Sequence, residues 1–241
     1  MFKITPAGAF STLFTFDTDS SGSNPFAGLV QATNGNFYGT TVGGDTGGTV
    51  FEITPAGVLT TLYTFDENDG GGAYGGVVQA TDGNFYGATE FGGAHGQGTI
   101  FEVTPAGKLT ELYSFCSQGV CTDGSAPKAG LMQATNGNLY GTTIGGGENI
   151  NGTIYSLSVG LGPFVETKPI SGKVGGKVTI LGNNLKNATN VTFNGTAVGS
   201  FTVNSSGSAI MTTVPTGATT GEVEVTTNTG SLKSNVAFRI P

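Results

Sequence analysis

Apolar and polar positions alternate in short runs throughout the first two thirds of the chain. GLVQAT and NFYGTT, at 28–41, flank Asn-Gly-Asn, a pattern that predicts two strands joined by a tight turn. The pattern returns as GVVQATDGNFYGAT at 76–89 and GLMQATNGNLYGTT at 130–143. A second pair of runs, TVFEIT and LTTLYTF, alternates across Pro-Ala-Gly and places Val50, Ile53 and Leu62 among apolar and aromatic neighbours. No segment sustains the 3.6-residue period of an amphipathic helix.

These runs belong to an internal repeat of about 50 residues, the size of a four-stranded propeller blade. FKITPAG at 2–8 recurs as FEITPAG at 51–57 and FEVTPAG at 101–107. FSTLFTF at 10–16 recurs as LTTLYTF at 59–65 and LTELYSF at 109–115, and YSLS at 155–158 opens a copy that does not continue. The predicted class is therefore all-β, with a propeller-like repeat domain over 1–159. Counting strands gives two outer strands (2–16), two full blades (27–65 and 76–115) and three inner strands (129–158). That makes about three blades, fewer than the four to eight of typical rings, and exposed strand edges are normally avoided. A homodimer that completes the ring, or a longer repeat array, is the expected resolution.

The motifs over 2–158 resemble the GloVer tandem repeat, named after Gloeobacter and Verrucomicrobia, found in bacterial surface and secreted proteins. Their order also resembles NHL-type blades, which implies that GLVQAT lines the tunnel, with NFYGTT second, TVFEIT third and LTTLYTF outermost. The resemblance implies export and brings no established chemistry.

After YSLSVGLGP the composition shifts to Val, Thr and Asn, and strands of alternating pattern between Gly and Asn turns predict an immunoglobulin-like sandwich over 160–241. Pro169-Ile170-Ser171, Gly175-Gly176 before KVTILG, VTFNG at 191–195, VPTGATTG at 214–221 and the final VAFRI resemble an IPT/TIG domain. That resemblance implies a spacer, a dimer contact or a sugar-binding accessory.

Composition narrows the function. A net charge of −7, with nine Lys and Arg spread along the chain, makes no basic stripe and argues against nucleic acid or an anionic membrane as partner. No apolar run approaches the length of a membrane-spanning helix. One His and two Cys rule out a zinc cage rich in those ligands. Cys116 and Cys121 are spaced to close a small loop: a disulfide in an exported protein, reduced thiols in the cytosol. No leader is visible, and the expected location is extracellular or cell-surface.

Blade topology sorts the loops onto two faces. One carries the short NGN, DGN and PAG turns. The other carries the irregular connections, and with them Asp17, Asp19, Asp45, Asp66, Glu67, Asp69, Glu90, Asp123 and Glu148, with Lys128 the only base. Loops on a rigid scaffold are where binding residues concentrate. DTDSSGSN and DENDGGG place acids at alternate positions before glycine, like partial calcium loops, so Asp17, Asp19, Asp66 and Asp69 are candidate Ca²⁺ ligands. The second copy departs from the repeat at TEFGGAHG, which puts Glu90 and His95 on the same face, where with Asp69 they are candidates for activating a water. Gln31, Gln79 and Gln133, with Tyr38, Tyr86 and Tyr140, recur in the two inner strands and suit either sugar binding or blade cohesion. The expected function is a binding protein for a carbohydrate or other surface ligand. The alternative, by analogy with propeller lactonases, is a Ca²⁺-dependent hydrolase of a small ester or lactone.

Overall fold

The computed structural model describes residues 1–17, 22–43, 47–66 and 68–241, so Asp19, Asp45 and Glu67 lie outside the described residues. The chain divides into two compact units, Met1–Gln133 with Leu139–Leu157, and Ala134–Asn138 with Ser158–Pro241.

The first unit begins with a two-stranded sheet, β1 (Phe2–Ile4) and β2 (Phe10–Thr12). Blade I follows, with β3 (Val30–Gln31), β4 (Phe37–Thr41), β5 (Thr49–Ile53) and β6 (Leu59–Thr64) hydrogen-bonded in that order. Blade II repeats it with β7 (Val77–Gln79), β8 (Phe85–Thr89), β9 (Thr99–Val103) and β10 (Leu109–Ser114). Blade III stops at three strands, β11 (Met132–Gln133), β12 (Leu139–Thr142) and β13 (Ile154–Leu157). All pairings are antiparallel, and the inventory matches the strand count expected from the repeat. Among the described residues, the end sheets β1–β2 and β11–β13 are separate and close no ring.

Local chemistry explains each hairpin. In the first, the Gly35 N–H donates to Ala32 O at 2.9 Å and the Ala32 N–H to Asn36 O at 2.9 Å, leaving a three-residue loop in which Gly35 takes φ +87°. Asn34 Oδ1 accepts from the Asn36 N–H at 3.0 Å, and Asp82 Oδ1 does the same for Asn84 at 3.1 Å. A side-chain acceptor followed by a residue free to adopt positive φ is what this turn requires. In the second strands, the Gly-Thr pair has a packing reason: a Cβ on Gly39 would lie 2.7 Å from Phe51 Cζ, so only glycine lets the ring cross beneath the strand.

Blades stack through aromatic contacts that repeat in register. The last aromatic of one outer strand meets the third strand of the next blade: Phe65 on Phe101 at 5.2 Å and Phe115 on Tyr155 at 5.0 Å, both edge-on. Tyr38 of blade I stacks on Phe85 of blade II at 3.9 Å. The core beneath holds Val50, Phe65, Ala73, Phe85, Phe101 and Val103, all fully buried. Buried threonine pairs, Thr41–Thr49 and Thr89–Thr99, bond across the second and third strands at 2.9 and 2.8 Å.

The second unit contains two four-stranded antiparallel sheets. One orders β14 (Glu166–Lys168), β15 (Lys177–Leu181), β19 (Ala209–Thr213) and β18 (Phe201–Val203); the other orders β17 (Thr196–Ala197), β16 (Ala188–Phe193), β20 (Val223–Thr227) and β21 (Gly230–Lys233). Alternate residues of both sheets, among them Val178, Ile180, Val191, Phe193, Ile210, Val223 and Val225, form one core with Phe238, as a sandwich requires.

Candidate functional site

Three residues stand at one equivalent position of the repeat, five before the inner-strand glutamine: Phe26, Tyr74 and Lys128. They lie on the loop face, where each chain segment turns into β3, β7 or β11. The blades bring them into a row. The Phe26 and Tyr74 rings are 5.4 Å apart, and Lys128 Nζ sits 5.0 Å from the Tyr74 ring centroid. Lys128 Nζ also donates to Glu90 Oε1 at 2.8 Å. That bond holds the ammonium pKa above its usual value. Phe26 is 69% exposed, so packing does not account for it. Phe91, beside Glu90, is 38% exposed. The row joins apolar ring faces to a donor–acceptor pair on a rigid support.

The other sequence candidates take different roles. Gln79 Oε1 accepts from the Thr33 N–H of the preceding blade at 2.9 Å, and Gln133 Oε1 from the Thr81 N–H at 3.1 Å. Their amide groups donate to Gly83 O at 3.0 Å and Thr81 Oγ1 at 3.1 Å. They are stitches between blades. Gln31, in the first blade of the row, is exposed and donates to its own turn at Gly35 O, 3.2 Å away.

Tyr38 and Tyr86 are buried to 1% and 2% exposure, and their hydroxyls reach the turn end of the blade, away from the loops. Tyr38 donates to Glu52 Oε1 at 2.7 Å, which also accepts from Asn36 at 2.7 Å. These bonds, Tyr38's first, hold the Glu52 carboxyl below its ordinary pKa. Tyr86 donates to Asp82 Oδ2 at 2.8 Å; burial, then this bond, pushes its pKa up. Neither ring has surface to offer a ligand. Tyr140, at the equivalent position of blade III, is half-buried.

The loop acids are engaged in the same manner. Asp69 accepts from the Tyr63 hydroxyl and, at 3.1 Å, from the Asp66 N–H. Burial, then the bond to Asp69, pushes the Tyr63 hydroxyl up to about 12. Asp66 Oδ1 accepts from the N–H groups of Asn68 and Asp69 at 3.0 and 3.2 Å. In blade II, Asp123 accepts from the Tyr113 hydroxyl at 2.7 Å, the Ser117 hydroxyl at 2.9 Å and the Ser117 N–H at 3.0 Å. The loop it holds is closed by a Cys116–Cys121 disulfide.

The expected catalytic trio is not assembled, because each carboxylate has another partner: Glu90 pairs with Lys128 and Asp69 with Tyr63, while His95 lies exposed. Asp17, of the other candidate calcium run, is exposed. Among the described residues, no group of three or more His, Cys, Asp or Glu side chains is placed to hold a metal ion.

The Phe26–Tyr74–Lys128 row escapes a search for identical residues, since the repeat position is filled three different ways. Its constant offset from Gln31, Gln79 and Gln133 is the signal that finds it.

Comparison with known proteins gives one family: the Gloeobacter/Verrucomicrobia repeat matches residues 1–214. No curated protein matches. Among solved structures, a fungal alcohol oxidase of the AA5 family, in complex with copper, is 15% identical with a TM-score of 0.34; the match covers 85% of this chain and 51% of that one. The chain thus spans about half the length of that oxidase.

Proposed function

The chain belongs to the Gloeobacter/Verrucomicrobia repeat family, and we propose that it is a secreted or cell-surface binding protein that takes a carbohydrate on the Phe26–Tyr74–Lys128 row. The observation that carries this reading is the row itself, with one ring 5.4 Å and one ammonium 5.0 Å from Tyr74 on three consecutive blades. A single exposed Phe on a surface needs no explanation, but one that meets the half-buried Tyr74 and, through it, Lys128 at the same repeat position does. A pyranose presents an apolar C–H face that stacks on an aromatic ring and hydroxyls that need donors and acceptors. Phe26 and Tyr74 supply the first; the Tyr74 hydroxyl, Lys128 and Glu90 supply the second. The Cys116–Cys121 disulfide supports an oxidising compartment and so export.

The test is a glycan array followed by calorimetry on the best hits, with and without added Ca²⁺. Tyr74→Ala and Phe26→Ala should each weaken binding about fivefold, in line with one lost stacking contact of about 1 kcal/mol, and Phe26→Ala, at an exposed position, should leave the unfolding midpoint unchanged. Glycan binding that survives both substitutions removes the row as the site. Turnover of activated esters or lactones that depends on Ca²⁺ would replace the binding reading with the hydrolase.

A further inference from the structure

Blade III lacks its fourth strand, and the two complete blades show what that strand covers. In blade I, Tyr63 of β6 pairs with Val50, which is 0% exposed; in blade II, Tyr113 of β10 pairs with Ile100, 1% exposed. The equivalent residue of blade III, Ile154 of β13, is 84% exposed. A groove of about 340 Å³ opens beside it, lined by Tyr113, Phe115, Ile154, Tyr155 and Leu157 among others. The edge strand, Ile-Tyr-Ser-Leu, carries no charge and no proline, the usual guards against edge pairing.

The chain also carries a spare outer strand. Residues 10–16, Phe-Ser-Thr-Leu-Phe-Thr-Phe, match β6 and β10 position for position with their flanking aromatics. They already pack onto blade I as an outer strand of a preceding blade should. Phe16 meets Phe51 edge-on at 5.2 Å, as Phe65 meets Phe101 and Phe115 meets Tyr155. Phe14 meets Phe16 at 5.2 Å, as Tyr63 meets Phe65 at 5.5 Å and Tyr113 meets Phe115 at 5.2 Å. Among the described residues, no inner strands join the blade to which this strand belongs. The strand's only sheet partner among the described residues is β1, whose three residues are all exposed, with Phe2 at 63% and Ile4 at 61%. Gln31 fits the same picture: Gln79 and Gln133 stitch to a preceding blade, whereas Gln31 donates to Gly35 O of its own turn.

We infer that β13 of one copy pairs with β2 of a second copy, displacing β1, in the register that β5 and β9 use with β6 and β10. Ile154 then faces Phe14 as Val50 faces Tyr63, and Thr153 faces Thr15 as Thr49 faces Thr64. The incoming Phe16 brings its own blade I into line after blade III. The contact is head-to-tail, so two copies close on themselves or a row extends. It is pairing at an open sheet edge, with apolar side chains filling the adjoining groove. This inference stands apart from the carbohydrate reading.

The described chain has no free cysteine, which makes a cross-link clean. Full-length Phe14→Cys and Ile154→Cys chains, each carrying one added thiol, are mixed in equal amounts and treated with a short bismaleimide. The expected product is a covalent pair at twice the 24.2 kDa chain mass, absent when either variant is treated alone. Light scattering of the unmodified chain should give a multiple of the chain mass. Ile154→Asp, at a position 84% exposed and so without effect on folding, should weaken association at least tenfold. Two outcomes overturn the inference. One is a chain-mass species in light scattering, with no cross-link between the mixed variants. The other is a double variant that cross-links only within its own chain, which means that each copy fills its own groove.

Discussion

The two ends of each blade use similar residues to opposite effect. At the turn end, Asn34, Asn36, Tyr38 and Glu52 satisfy one another within a single hairpin and the facing strand. Blade II builds the same bracket from Asp82, Asn84, Tyr86 and Glu102. At the loop end, Asp69 and Asp123 are held by Tyr63 and Tyr113, yet the neighbouring connections carry an exposed Phe26 against the half-buried Tyr74 and Lys128. Polar groups that repeat and are mutually bonded belong to the scaffold. Residues that occupy one repeat position, differ from blade to blade and keep part of their surface in solvent are the ones the proposed binding function draws on.

The largest effect that separates the ends is on stability. Tyr38→Ala removes a ring that is 1% exposed and stacked on Phe85, and leaves Glu52 without its best donor. Large-to-small changes at such sites cost about 3 kcal/mol or more. Urea unfolding should show that loss, while the glycan binding proposed for the row keeps its full affinity in the folded fraction. Binding lost together with an intact fold would mean that the two ends are not separate.

A smaller effect tests the loop end. The Cys116–Cys121 bridge closes a short loop that Asp123 then pins to Tyr113. Replacing both cysteines by serine should cost about 2 kcal/mol, on the loop-entropy account for so short a ring. The row at Phe26 and Tyr74 should be unaffected, because it rests on blade packing. A glycan affinity that falls with the bridge would show that the loops shape the site.

The comparison also explains how much was legible from the amino acids. The blades were, because Asn-Gly-Asn turns, strand alternation and the 50-residue spacing act locally and each copy repeats the others. The missing strand of blade III was legible by counting. The roles of Gln79 and Gln133 were not: a glutamine that reaches the preceding blade and one that reaches a ligand read the same until the distance to Thr33 or Thr81 is known. His95 and Glu90 stood out as departures from the repeat, but closeness in sequence did not bring them together, since Lys128, from the next blade's connection, takes the carboxylate. The row was not legible either, because one residue per blade leaves no motif in any single copy.

The smallest effect is the pH dependence that the tyrosine–carboxylate bonds impose, and its sign follows from the shifts. Glu52 has a folded pKa below its ordinary value, so its contribution is present above the unfolded value of about 4.3 and fades as pH falls through the lower folded value. Tyr63 has a folded pKa raised to about 12. Its contribution is full below the unfolded value of about 10 and disappears as pH rises toward the folded one. Urea midpoints should therefore hold level across neutral pH, then fall on the acid side below about 4 and on the alkaline side above about 10. Glu52→Gln should flatten part of the acid limb, and Tyr63→Phe part of the alkaline limb. Both side chains are partly solvated, so each change is a fraction of the whole limb. If each substitution leaves its limb as steep as before, the brackets at the two ends hold the blade by shape alone, and the electrostatic half of the comparison falls.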